Sequence, residues 1–314
     1  MRIAVLVLDG VFDTGLAAVL DAFALADMLG ARSTRFEVTR VGVRRRVKTG
    51  QGFVVPLDPA PARAPDLVLV PALGAKSPGA LDEAIARTEA RDACALLREW
   101  RAAGSRVAAA CTATFLLAAS SLLDGKPATT TWWLAAAFRE RFPAVALREG
   151  EMIVASSDLV TAGAALAHLD LALWVIRRRS PALARTTARH LTFDRRLSQG
   201  AYVMPDHIAH SDELVERFEA WARRHLAGFT LGAAARAVGT SSRTLERRVH
   251  RVLGKSPLAF VQDLRVELAM AQLESSDRSV DEIAVRVGYR DGGTLRTLLR
   301  EKTGRGVREL RRRG

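Results

Sequence analysis

Long apolar runs and cysteine are both scarce in this sequence. No stretch of its 314 residues approaches the roughly 18 uncharged apolar residues of a membrane-spanning helix, so we expect no membrane association. Two cysteines, Cys94 and Cys111, are too few for a disulfide framework, and the first residues lack the pattern of a signal peptide. These absences predict a cytoplasmic protein. The 49% hydrophobic and 26% charged residues are typical of a globular chain of two domains.

Acidic residues are the scarcer charge, and the imbalance is uneven along the chain. The net charge is +13. Residues 1–200 hold 26 Lys and Arg against 19 Asp and Glu, or +7, whereas residues 221–314 hold 20 against 10, or +10. Positive charge concentrated at one end favours a polyanionic partner such as nucleic acid, although charge alone leaves an ordinary basic surface open.

Short apolar runs alternate with helical patterns over the first two thirds of the chain. Runs at residues 3–8, 66–71 and 106–110 are typical of strands buried on both faces. This alternation predicts an α/β fold with a doubly wound parallel sheet, in which ligands bind at the carboxyl ends of the strands. The helical stretches lie at residues 15–29, 82–103 and 165–178.

Cys111 stands at one predicted strand end, directly before a helical stretch. Its neighbours two positions away, Ala109 and Ala113, are small, as a tight turn that presents a nucleophile requires. A thiol at a helix amino terminus is favoured as thiolate. The alternative is that Cys111 is a small buried apolar residue, a common role of free cysteine.

Several segments resemble the ThiJ/PfpI domain of the class I glutamine amidotransferase-like superfamily. The resemblance rests on residues 8–13, 69–72, 110–118, 123–130 and 160–170, and it implies a flavodoxin-like sheet. In that superfamily the cysteine at the turn can be a catalytic nucleophile with a histidine and an acid. By position, the resemblance implies Asp13 as the acid.

One departure from the family pattern argues against catalysis. Thr131 stands before Trp132, where the family has histidine, and a nucleophile without a positioned base loses proton-transfer assistance. His168 falls on a predicted helix, where packing near the sheet is favoured over a catalytic role. We therefore expect a ligand pocket or a thiol sensor, with Cys111 and Asp13 as vestigial catalytic residues and no cofactor. The predicted ligand-binding residues are Asp13, Ala72, Cys111, Thr112, Thr131 and Trp132.

The expected domain boundaries follow from a change in composition near residue 180. We expect a sensor domain at residues 1–180, a linker at 181–212 and a DNA-binding domain at 213–314. His207 and His210 lie three apart in the linker, but no further ligands stand nearby, so we predict no metal site.

An internal repeat marks the carboxyl-terminal domain. An offset of 49 to 50 residues superposes apolar, small and glycine positions, including Ala235 on Ala284 and Gly239 on Gly288. Small residues where two helices meet, followed by a glycine suited to a positive φ, predict helix-turn-helix motifs. The two motifs span about residues 231–253 and 280–302.

These motifs resemble the AraC/XylS family of transcription regulators, over about residues 229–312. Together with the amino-terminal resemblance, the chain is similar to GlxA-type regulators, in which an amidase-like sensor domain precedes an AraC module. A rigid helix between the motifs would let them enter successive major grooves of double-stranded DNA, roughly 34 Å apart. We expect a homodimer, because regulators with two-fold sites are often dimers, and an unknown small-molecule effector.

The predicted DNA contacts differ between the motifs. In the first, the resemblance implies that Arg243, Glu246 and Arg247 face base edges, with His250 also outward. In the second, Gly292 and Gly293 replace the usual side chains, which leaves Arg296, Thr297 and Arg300. We therefore predict an asymmetric DNA reader, whose second motif mainly grips the backbone. Predicted phosphate contacts are Lys255, Arg265, Arg305, Arg308 and Arg311 to Arg313.

The leading interpretation is a sequence-specific transcription regulator without catalytic activity. The alternative is a ThiJ/PfpI-type cysteine hydrolase or hydratase with an appended DNA-binding domain.

Overall fold

The apolar runs of the first two thirds of the chain form a six-stranded sheet. The computed structural model describes residues 1–194, 196, 198–199, 202, 204, 210, 212–304 and 306–311, apart from the side chain of Glu274. The chain divides into two compact units, residues 1–199 and 200–314, which we call the first and second units. The strands of the first unit are β1 Arg2–Leu6, β2 Glu37–Val41, β3 Arg46–Lys48, β4 Val54–Pro56, β5 Leu67–Val70, β6 Arg106–Ala110, β7 Pro127–Ala128, β8 Ala146–Leu147, β9 Ile153–Ser156 and β10 Leu159–Ala162.

The main sheet has the order β2-β1-β5-β6-β10-β9. Its first five strands pair in parallel, and β9 pairs antiparallel with β10 at the edge. All residues of β5 and β10, and all but the first of β1 and β6, are buried. The five parallel strands follow the flavodoxin-like order, which confirms the predicted fold class.

Helices cover the sheet. On one face, α1, α6 and α7 pack against one another and share an apolar core with β1, β5 and β6. The helices α2, α3 and α4 contact each other, and α3 and α4 contact β6. The helices of the first unit are α1 Asp13–Leu29, α2 Pro78–Ala86, α3 Thr88–Ala102, α4 Ala113–Ala119, α5 Ala135–Arg141, α6 Ala167–Arg179 and α7 Pro181–His190.

The first unit extends beyond the boundary expected from the sequence. Pro181 ends α6, but it also begins α7, because proline fits the first position of a helix. The Ser180 hydroxyl caps this helix by accepting from the Leu183 backbone N–H. Leu183 and Ala184 are buried in the core that α7 shares with α1 and α6. Residues 181–199 therefore belong to the first unit rather than to a linker.

The second unit is all helical where it is described. Its helices are α8 Glu213–Arg224, α9 Leu231–Ala237, α10 Ser242–Leu253, α11 Pro257–Ser275, α12 Val280–Arg286, α13 Gly292–Thr303 and α14 Val307–Arg311. The pairs α9–α10 and α12–α13 form the two predicted motifs, which we call the first and second motifs. Among the described residues, no helix combines the length and the apolar character that crossing a bilayer requires.

Both motifs have the local structure that the repeat predicts. Gly239 and Gly288 adopt φ values of 74° and 90° in the two turns. Ser241 and Asp291 cap the second helix of each motif by accepting from the backbone N–H three residues later. These glycines and caps make the turn and the helix start largely local properties of the sequence.

Candidate functional sites

Cys111 occupies a strained turn between β6 and α4. Its φ is +57°, a conformation that costs a non-glycine residue about 1–3 kcal/mol. Two hydrogen bonds hold the turn. The Cys111 N–H donates to the Ala162 carbonyl at 2.8 Å, and the Thr130 hydroxyl donates to the Cys111 carbonyl at 2.9 Å. The neighbours Ala109 and Ala113 are fully buried, and the predicted tight turn is confirmed.

The Cys111 thiol is buried and protonated. The residue is 4% exposed, and burial raises the pKa of the thiol to about 11, while hydrogen bonds from Thr112 and Thr131 only partly oppose this. Desolvation of the thiol thus outweighs the favourable effect of the helix amino terminus on the thiolate. The expectation of a favoured thiolate was wrong.

His168 is a structural residue. Its Nε2 accepts from the Ala72 N–H at 3.0 Å, and Nδ1 therefore carries the proton and donates to the Ala165 carbonyl at 2.6 Å. The ring is fully buried, and burial lowers its pKa to about 4. Gly15 on α1 leaves the space that the ring fills, since a Cβ there would lie 2.5 Å from Nε2. Both ring nitrogens of His168 are engaged in hydrogen bonds, so the structure supports a packing role for His168 rather than a catalytic one.

Asp13 carries a buried oxygen that has no hydrogen-bond partner among the described residues. Asp13 begins α1, and its Oδ2 accepts from the Gln51 N–H at 3.0 Å. Its Oδ1 forms no hydrogen bond with any residue that the structure describes, whereas the Thr131 hydroxyl faces the Cys111 thiol and lowers its pKa. Buried polar atoms are normally satisfied, so such atoms need an explanation, for example a ligand.

Hydrogen bonds join the loops that carry the predicted ligand-binding residues. The Phe12 N–H donates to the Ala72 carbonyl at 2.8 Å, and the Thr112 hydroxyl donates to the Leu73 carbonyl at 2.6 Å. These bonds hold the segments after β1, β5 and β6 together at the carboxyl edge of the sheet. Trp132 is half-buried beside Trp133, at 5.4 Å between ring centroids.

Gln199 is a residue that the sequence analysis missed. It is fully buried at the end of the first unit. Its Nε2 donates to the carbonyls of Thr130 and Glu149 at 2.8 and 2.6 Å. Gly163 makes room for it, because a Cβ there would lie 2.6 Å from Oε1. Since Thr130 also holds Cys111, Gln199 connects the end of the first unit to the turn.

The outward face of α10 is strongly basic. The four residues predicted to contact DNA are all exposed, namely Arg243, Glu246, Arg247 and His250. A surface depression of about 290 Å³ is lined by Thr244, Arg247, Arg248 and Arg251. Arg248 is held in place by the Asp212 carboxylate, at 2.7 Å from Nε to Oδ2.

The corresponding face of α13 carries fewer side chains. Arg296, Thr297 and Arg300 are exposed, as the sequence predicts. Gly292 is buried and donates its N–H to the Asp281 carboxylate at 2.9 Å, and a Cβ there would lie 2.6 Å from Oδ1 of that group. A side chain at position 292 would therefore displace the carboxylate.

The residues predicted to contact phosphates differ in their surroundings. Arg308 is exposed on α14. Lys255 pairs with Asp263 at 3.1 Å. Arg265 is 9% exposed and donates to the Leu226 carbonyl, so its predicted role was wrong, because packing takes it away from the surface. Arg311 donates to the Arg278 carbonyl, whereas Arg305, Arg312 and Arg313 lie outside the described residues.

The predicted absence of a metal site concerns His207 and His210. His207 lies outside the described residues, and the Nε2 of His210 lies 3.2 Å from the Oε2 of Glu219. In the part of the chain that the structure describes, no cluster of three or more His, Cys, Asp or Glu side chains is arranged to hold a metal ion.

Comparisons with known proteins match both units. Residues 1–178 match the DJ-1/PfpI family, and residues 234–313 match a helix-turn-helix domain family. The chain is 26% identical over 295 residues to the HTH-type transcriptional regulator GbdR of Pseudomonas aeruginosa, covering 91% of this chain and 77% of that protein. It is 32% identical over 102 residues to the HTH-type transcriptional activator RhaS of Salmonella schwarzengrund, covering 32% of this chain and 37% of that protein.

A solved structure confirms the fold of the first unit. An AraC family transcriptional regulator from Pseudomonas putida superposes with a TM-score of 0.52 at 19% identity, covering 60% of this chain and 98% of that one. At this identity the likeness concerns the fold alone.

Proposed function

We propose that the first unit of this chain senses a small-molecule effector at the Cys111 turn and is not an enzyme. The chain belongs to the DJ-1/PfpI family and is a transcription regulator that binds DNA through its helix-turn-helix domain. The observation that carries this proposal is the burial of the Cys111 thiol, which raises its pKa to about 11. Thr131 stands in place of the family's histidine, and both nitrogens of His168 are occupied elsewhere. A general base must reach the proton that it removes, and neither residue supplies one.

The effector belongs to a definite chemical class. One buried acceptor at the carboxyl edge of the sheet, Asp13 Oδ1, lacks a partner among the described residues, and the Thr131 hydroxyl has the Cys111 thiol beside it. A small molecule that donates an N–H or O–H hydrogen bond would satisfy the Asp13 oxygen. The half-buried Trp132 supplies an apolar contact next to Thr131.

The test begins with the full-length protein and DNA. Selection from a random library defines the preferred site, and metabolite fractions are then screened for a change in affinity for that site. We expect Asp13→Asn and Thr131→Val to abolish the response to the active fraction while retaining DNA affinity. Thr186→Val, on the exposed surface of α7, is the matched control. An unchanged response in both site variants would refute the effector site.

The strained geometry of Cys111 favours one alternative, a cysteine hydrolase or hydratase joined to the DNA-binding domain. In that case Cys111→Ala would remove a measurable turnover of amide, ester or dicarbonyl substrates without changing DNA affinity. We expect wild-type protein to show no turnover above the Cys111→Ala background.

We also propose that the protein acts as a homodimer, because regulators commonly bind two-fold sites as dimers. Sedimentation of the full chain with and without its selected DNA tests this. A single chain on each DNA fragment would contradict it.

A further inference from the structure

The two motifs of the second unit have separate apolar cores. One core contains Phe260, Val261 and Leu264 of α11 together with residues of the first motif and α8. The other contains Val266, Ala269 and Leu273 of α11 together with residues of the second motif. A helix shared by two cores fixes their separation along its axis. The rotation of one motif relative to the other depends further on contacts across the junction.

A single carboxylate makes such a contact. Asp263 lies in the second turn of α11, and its Oδ2 is 3.1 Å from the Lys255 Nζ. Its Oδ1 is 2.7 Å from the Lys302 Nζ. The side chains of Asp263 and Lys255 are only 17% and 18% exposed. Partial burial strengthens ion pairs of this kind relative to pairs on the open surface.

The two lysines belong to the ends of the two DNA-facing helices. Lys255 follows Gly254, which caps the carboxyl terminus of α10, and Lys302 lies in the last turn of α13. Asp263 therefore receives the carboxyl-terminal ends of both helices. Arg265, two residues further on, also connects the two motifs. It donates to the Leu226 carbonyl, before the first motif, and stacks over the Tyr289 ring in the second motif.

We propose that Asp263 is a positioning residue that fixes the relative orientation of the two DNA-facing helices and thereby sets the spacing of the DNA site. This inference rests on the DNA-binding role given above. Two helices that enter successive major grooves must match the helical repeat of DNA, so a rotation at the junction removes contacts from one of them. Lys255 and Lys302 act through Asp263 rather than as freely mobile phosphate contacts.

The test compares DNA sites of different spacing. Selection with the wild-type chain defines a two-segment site, and affinities are then measured for that site and for versions with one base pair inserted or deleted between the segments. We expect the wild-type protein to prefer the native spacing by at least an order of magnitude, because misaligned base contacts are lost. In Asp263→Asn we expect this preference to fall on the order of tenfold.

Glu301→Gln is the matched control. Glu301 is exposed on α13 next to Lys302, so its substitution removes the same negative charge without touching Asp263. Both substitutions should raise general affinity for a polyanion, but only Asp263→Asn should relax the spacing preference. If both variants keep the wild-type preference, the positioning role is overturned.

A second variant guards against unfolding. Lys302→Gln removes the Lys302–Asp263 pair and leaves the Lys255–Asp263 pair. We expect this variant also to show a weaker preference for the native spacing. If circular dichroism shows that Asp263→Asn is unfolded, the spacing preference of Lys302→Gln tests the positioning role instead, and a wild-type preference in that variant overturns it. A wild-type chain that prefers no sequence over scrambled DNA would instead refute the DNA-reading function itself.

Discussion

His168 Nε2 accepts a hydrogen bond from the backbone N–H of Ala72, 96 residues earlier in the chain, at 3.0 Å. This bond joins the start of α6 to the loop after β5. It requires a neutral ring with Nε2 unprotonated, and burial enforces that state by lowering the His168 pKa to about 4.

This arrangement predicts acid sensitivity of the fold. A folded-state pKa below the unfolded value of about 6.5 means that the unfolded chain takes up a proton first, so stability is lost as the pH falls from about 6.5 towards 4. We expect a loss on the order of 3 kcal/mol across this window. Urea denaturation at several pH values measures it. His168→Gln, which cannot titrate there, should flatten the profile between pH 6.5 and 4.

The Cys111 thiol should resist alkylation at neutral pH. Its pKa, raised to about 11, leaves it protonated below that value, and the side chain is buried. We expect iodoacetamide to modify it far more slowly than a small-molecule thiol at pH 7.5. The Cys94→Ser variant removes the other free cysteine from the measurement by mass spectrometry. Rapid modification of Cys111 in the folded protein would support a thiol sensor instead.

Gln199→Leu should loosen the end of the first unit. The substitution keeps the size of the side chain but leaves the carbonyls of Thr130 and Glu149 without their Gln199 donor, which costs about 1–3 kcal/mol in a buried site. We expect lower unfolding stability and faster proteolytic cleavage between residues 191 and 199. Gln51→Leu, at an exposed position, should change neither the unfolding stability nor the rate of cleavage. If the two variants are equally stable and are cleaved at the same rate, Gln199 does not connect the end of the first unit to the Cys111 turn.

The two motifs should contribute unequally to base discrimination. Arg247→Ala should blur one position of the selected site and cost about 1–3 kcal/mol in discrimination there. Arg300→Ala, on the second motif, should weaken binding to all sequences alike and reduce the salt dependence. Site selection with each variant provides the comparison. Equally sharp preferences in both half-sites would contradict the asymmetric reader.

Much of the architecture could be predicted because its determinants are local. The apolar runs of β1, β5 and β6 specify buried strands by their composition. In the motifs, Gly239 and Ser241 fix a turn and a helix start within a few residues. The turn at Cys111 also follows from its small neighbours. Each of these features depends on backbone preferences and side-chain size at adjacent positions.

The remaining features depend on residues that are distant in the sequence, and only the tertiary structure decided them. Desolvation by many neighbours makes Cys111 a protonated thiol, against the local preference of a helix start. Gln199 acquires its role from carbonyls about 50 and 69 residues earlier in the chain. Lys255 and Arg265 look like surface cations in the sequence, but packing around α11 directs them to Asp263 and Leu226. Burial and pairing arise from the whole fold, so charge in a sequence predicts a basic domain but not which cations remain available to DNA.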